Sequence, residues 1–122
     1  MPWGRDTTAK GQQAQKLAEK LLKKNGLRIL ARNVNPGPAE IDLVARHRNV
    51  LVFVEVRSRW SDSDARPEET VNFRKQQRLV RGAKAFMKFR GWENKPGRFD
   101  VVAVDGFTVP ATIRYFPDAF SG

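Results

Sequence analysis

Residues Leu51–Arg57 read Leu-Val-Phe-Val-Glu-Val-Arg, and this run constrains the fold more than any other. Its first four residues are apolar without alternation, so a strand here must be covered on both faces. A lone carboxylate, Glu55, interrupts the run. Burying it unaccompanied costs several kcal/mol, so something positive must lie beside it.

The rest of the chain supplies covering layers. Thr8 is a suitable N-cap for a helix running to about Asn25, with Gly26 as its stop. The apolar stripe of this helix is Ala14, Leu17, Ala18, Leu21 and Leu22, at spacings of three and four. Strands are expected at Arg28–Val34, Glu40–Arg46, Leu51–Arg57, Arg98–Val104 and, in short form, Thr112–Phe116. Asn35-Pro36-Gly37-Pro38 makes a turn that no central strand can continue. Arg46-His47-Arg48-Asn49 is short and polar, which predicts an antiparallel hairpin between the second and third strands. Trp60–Glu68 reads as a loop. A second helix is expected from about Glu69 to Arg90, stopped by Gly91. The resulting order is α-β-β-β-α-β-β, an α/β fold with a mixed central sheet flanked by two main helices.

With 122 residues and 40% apolar content, one domain is expected at 8–122 behind a loose leader at 1–7. The absence of cysteine excludes disulfides, thiolate zinc sites and cysteine nucleophiles, and one histidine excludes a histidine-rich metal cage. No stretch approaches membrane-spanning length, and the start lacks an apolar secretory core, so the expected setting is cytoplasmic with no membrane partner.

The net charge of +10 suits a polyanionic partner. The charge is not uniform. Residues 72–98 carry nine Lys/Arg against one acid, whereas 39–71 carry five against seven. On the second helix, Arg74, Arg78, Arg81, Lys84 and Lys88 fall on one side, without acids at i+4 to pair them. That side is a candidate phosphate-tracking surface, and Arg59, just after the third strand, is a further candidate for it.

Side chains two apart on a strand share a face. Glu40 and Asp42 therefore point one way from the second strand, and Glu55 and Arg57 share a face of the third. An antiparallel hairpin can bring Asp42 and Glu55 within a few ångströms. Converging carboxylate oxygens suit a hard divalent cation. Equally, Arg57 and neighbouring cations would neutralise these acids as a buried ion-pair cluster. Periodicity alone leaves both readings open.

The residues Glu40-Ile41-Asp42-Leu43-Val44-Ala45, Phe53-Val54-Glu55-Val56-Arg57-Ser58-Arg59, Lys75 and Arg98-Phe99-Asp100-Val101-Val102 resemble the bacterial YraN family. That family is similar to Holliday-junction resolvases within the PD-(D/E)xK, restriction-endonuclease-like superfamily, and the likeness covers roughly residues 10–118. It implies an α-β-β-β-α-β core. It also implies Mg²⁺ or Mn²⁺ on Asp42, Glu55 and the Val56 carbonyl, with Glu40 as the acid of the family's GEID motif. Arg57 stands where the superfamily has lysine, and Lys75 matches a basic residue at the head of the second helix. Gln15 stands where the family usually has a glutamate. Gln15, Lys75 and Gln76 are accessory candidates.

The function expected from the resemblance is metal-dependent, structure-selective DNA endonuclease activity on branched or flapped DNA, with a homodimer as a possible arrangement on symmetric junctions. The alternative is a nucleic-acid-binding module on the same fold that has lost or weakened catalysis, which Gln15 keeps open.

Overall fold

The computed structural model describes residues 9–59 and 71–121. The expected leader, the Thr8 cap and the loop Trp60–Glu68 lie outside these residues.

Helix α1 (Ala9–Lys24) ends as its sequence dictates. Gly26 adopts φ 87°, a left-handed conformation that costs a Cβ-free residue little. The Gly26 N–H donates to the Lys23 carbonyl and the Leu27 N–H to the Leu22 carbonyl, closing a Schellman turn. Leu22 and Leu27 are both buried in the same cluster, the apolar contact that accompanies this motif.

Five strands follow the expected order: β1 (Arg28–Val34), β2 (Ile41–His47), β3 (Val50–Arg59), β4 (Gly97–Asp105) and β5 (Thr112–Phe120). They form one sheet ordered β1-β2-β3-β4-β5. Only β3 and β4 run parallel, and α2 (Phe73–Arg90) connects them. The β2–β3 hairpin is antiparallel as expected, with Leu43 opposite Val54 and His47 opposite Val50.

Two elements differ from expectation. Helix α2 begins at Phe73, because the Asn72 side chain accepts the Lys75 N–H at 2.9 Å and caps the helix there. β5 extends to Phe120, four residues past its expected end. Its extra length pairs Phe120 with Phe99, and the two rings stack at 4.9 Å.

The central strand is covered on both faces. Val52, Val54 and Val56 face α1, packing with Ala14, Ala18 and Leu22. Leu51 and Phe53 face α2, packing with Leu79, Ala83 and Phe86. Truncating one such residue, Leu22→Ala for example, should cost about 2–5 kcal/mol. Alternation along β3 then places Glu55 and Arg57 in the α2 layer.

Candidate active site

The site forms where β2 leaves β3. The paired register runs from His47/Val50 to Leu43/Val54, and β2 continues to Ile41 paired only with β1. One edge of β3 beyond Val54 is thereby released from ladder pairing, while the other stays paired with β4 as far as Arg59/Asp105. The Asp42 side chain takes over at the released edge. Its Oδ2 accepts the Val56 N–H at 2.8 Å in a buried environment. In an extended strand the N–H and C=O of one residue face the same neighbour, so the Val56 carbonyl faces this edge too.

The segment carrying Glu40 and Asp42 is seated against α2. A Cβ built on Gly82 would lie 3.4 Å from the Ala39 carbonyl and 3.8 Å from Ile41 Cδ1. These are ordinary van der Waals separations, so the β2 entry packs directly on α2 at Gly82. Glu40, half-buried, lies just ahead of β2.

Glu55 is 2% exposed and Asp42 4%. The positive partner that Glu55 demands comes from two elements. Lys75 Nζ, in the first turn of α2, lies 3.4 Å from Glu55 Oε1. Arg57 lies 3.7 Å from the same oxygen. Both separations exceed the roughly 2.7–2.9 Å of a charge-assisted hydrogen bond. These cations offset the buried charge. Lys75 can reach Glu55 because Asn72 starts the helix three residues earlier and turns position 75 inward.

The donor set is all oxygen. Among the described residues, no group of three or more His, Cys, Asp or Glu could hold a metal ion. Two carboxylates suffice for Mg²⁺, which keeps several waters and rarely takes a full protein cage. Asp42, Glu55 and the Val56 carbonyl therefore fit Mg²⁺ or Mn²⁺ by donor chemistry.

Other expected site residues are distributed as follows. Gln76 is half-buried near the helix start, but its side chain donates to the Val71 carbonyl at 2.9 Å. Gln15 is half-buried on α1, which packs on the face of the sheet opposite Glu55. Arg74, Arg78, Arg81, Lys84 and Lys88 are all exposed, and Leu79, Ala83 and Phe86 are buried beneath them. Arg59 departs from its expected place on that surface. It donates to Asp105 at 2.6 Å with little exposure, and the guanidinium holds the Asp105 carboxyl below its usual range.

A further buried carboxylate, Asp100, stands in the sequence only as part of the Arg98–Val102 stretch. Asp100 has 0% exposure and lies in the α1 layer. It accepts from Arg98, the Tyr115 hydroxyl and the Asp118 N–H. Burial first, then the Asp100 carboxylate, pushes the Tyr115 hydroxyl up to about 12. The spacing of Arg98 and Asp100 on one strand face was the available signal; Tyr115 enters from β5. No described helix is long and apolar enough to cross a membrane.

A model of the "Uncharacterised protein family UPF0102" matches residues 14–104, a span that contains most of α1, the β2–β3 site, α2 and most of β4. A UPF0102 protein of Hahella chejuensis is 40% identical over 111 residues, covering 91% of this chain and 89% of the relative. One from Anaeromyxobacter dehalogenans is 43% identical over 114 residues, covering 93% and 85%. Another, from Syntrophotalea carbinolica, is 36% identical over 110 residues, covering 90% and 89%. With the matched region spanning the split hairpin and both of its carboxylates, this chain belongs to the UPF0102, or YraN, family.

Proposed function

We propose that this protein is a metal-dependent nuclease that hydrolyses phosphodiester bonds in DNA, selecting by shape rather than by base sequence. One observation carries the reading. Two carboxylates are buried where the sheet opens: Asp42 accepts the Val56 N–H, one residue past Glu55, and Glu55 has Lys75 and Arg57 beside it. Stability alone gives little reason to bury such a set, since an apolar replacement is often as stable.

Asp42, Glu55 and the Val56 carbonyl would hold the ion. When bound, a divalent ion lowers the pKa of a water and neutralises charge on the scissile phosphate. The Val56 N–H orients Asp42. Arg57 stays protonated and cannot act as a base, so its part is to meet phosphate charge. Lys75 contributes a second positive charge at the same carboxylate. Glu40, half-buried ahead of β2, would support Asp42 as the acid of the family's motif. The exposed basic side of α2 tracks the backbone and gives affinity without base readout.

The test is incubation of the pure protein with four-way-junction and flap DNA in Mg²⁺ or Mn²⁺, beside Asp42→Asn. Metal-dependent cutting that disappears in the variant supports the enzyme.

A second reading rests on the same Glu55 contacts. Lys75 and Arg57 already offset the Glu55 charge, which an ion would otherwise do. In that case the fold serves as a nucleic-acid-binding module. Binding without cutting selects it.

A further inference from the structure

The first turn of α2 carries a residue that packing does not explain. Phe73 is 71% exposed, although it stands directly beside the Asn72 cap and two residues before Lys75. Phe73, Gln76, Gln77, Val80 and Arg81 recur at i, i+3, i+4, i+7 and i+8, so they form one stripe along the helix. With Ser121, just past β5, they line an open cavity of about 460 Å³. That volume falls within the roughly 300–1,000 Å³ of small-molecule sites.

The stripe has a definite chemistry. Phe73 and Val80 offer an apolar surface, and the glutamines offer amide donors and acceptors. Arg81 belongs at once to this stripe and to the basic row of Arg74, Arg78, Lys84 and Lys88. The segment from Asn72 to Trp92 contains no acid. A ligand that matches it combines a flat aromatic group, polar edges and a phosphate. A nucleotide has all three. In a duplex both faces of each base are covered by its neighbours, so only an unpaired nucleotide can present a face to Phe73.

We infer that this cavity binds one unpaired nucleotide, with its base stacked on Phe73 and its phosphate at Arg81. The inference rests on the nucleic-acid part of the proposed function and narrows its substrate to DNA with a single-stranded segment. Phe73 lies on the same helical turn as Lys75. The Phe73 end of the cavity and the Lys75–Glu55 contact therefore lie in the first turn of α2, on different sides of the helix, which suits recognition of a junction or flap beside the cut.

The test is run without metal, so that binding is read apart from cleavage. The full-length protein is titrated into a single-stranded oligonucleotide carrying one 2-aminopurine, and into a duplex of equal length. Stacking should quench the probe in the single strand. Phe73→Ala should abolish the quench and weaken single-strand binding by at least about fivefold, the loss of one stack, while duplex affinity stays the same. Phe73→Trp should keep both signals. Phe73 is exposed, so all variants should melt with the wild type. Equal weakening for both DNAs, an unaltered quench in Phe73→Ala, or no single-strand binding at all would overturn the inference. So would sedimentation showing that Phe73→Ala dissociates a dimer, since a second copy would then occupy the surface. A failed cleavage assay with a Phe73-dependent quench would sink the nuclease reading alone.

Discussion

The Asp42 carboxylate accepts the backbone N–H of Val56, one residue past Glu55, at 2.8 Å. A side chain thereby replaces the ladder bond that β2 stops supplying after Leu43. The same contact positions Asp42 and keeps a buried donor satisfied, and these two roles can be separated.

Asp42→Asn retains an oxygen that accepts the Val56 N–H but removes the charge. It should fold with little loss of stability and abolish metal-dependent cleavage. Asp42→Ala also orphans the N–H, at a further cost of about 1–3 kcal/mol. Urea denaturation of both variants, read beside the cleavage assay, checks the division.

Glu55 and Lys75 should couple energetically. Removing one partner of a buried pair leaves the other charge uncompensated. Lys75 is partly exposed, so Lys75→Met should cost only about 1–2 kcal/mol, below the range for fully buried pairs. Glu55→Gln should make Lys75→Met nearly neutral. A double-mutant cycle with no interaction energy beyond error would refute the pairing.

Metal binding can be read without activity. If Asp42 and Glu55 hold an ion, millimolar Mn²⁺ should raise the melting temperature of the wild type by mass action. Glu55→Gln and Asp42→Asn should not respond. An equal response in all three proteins would place the ion elsewhere.

The acid and alkaline limits have separate sources. Arg59, foremost, depresses the Asp105 carboxyl, so the folded state binds fewer protons there than the unfolded one. Its contribution is present above the usual carboxylate range and disappears as pH falls through the depressed value. Tyr115 is raised to about 12, so between roughly pH 10 and 12 the folded state holds a proton that the unfolded chain has released. Stability from this group falls across that window. Tyr115→Phe should remove that alkaline component, and Asp105→Asn the acid one, in denaturation midpoints measured against pH.

The basic row on α2 should act through salt. Arg74→Glu with Arg81→Glu should weaken DNA binding and flatten the salt dependence by up to about 0.9 per lost phosphate contact. An unchanged slope in fluorescence anisotropy would remove these residues from the interface.

Much of the architecture was readable in local patterns. The unalternating Leu51–Val54 run required a strand covered twice, and α1 and α2 cover it. Spacings of three and four located both helices, and Gly26 and Gly91 stop them. These features depend on neighbours within a few positions, where periodicity and backbone freedom act. The start of α2 is the exception: it lies four residues past the expected Glu69, because Asn72, a short polar side chain in a polar stretch, caps the helix there.

The identity of charge partners followed a different rule. That Glu55 needed a cation was evident from burial alone. That Lys75, twenty residues on, supplies it beside Arg57 depended on how the α2 crossover lands on the sheet. The same holds for Arg59, drawn to Asp105 by the parallel β3–β4 register, and for Asp100, buried under Tyr115 from β5. Hydrophobic spacing is local and repeats, so a linear chain displays it. A buried charge is settled by whichever opposite charge arrives within a few ångströms, and only the assembled layers decide which one arrives.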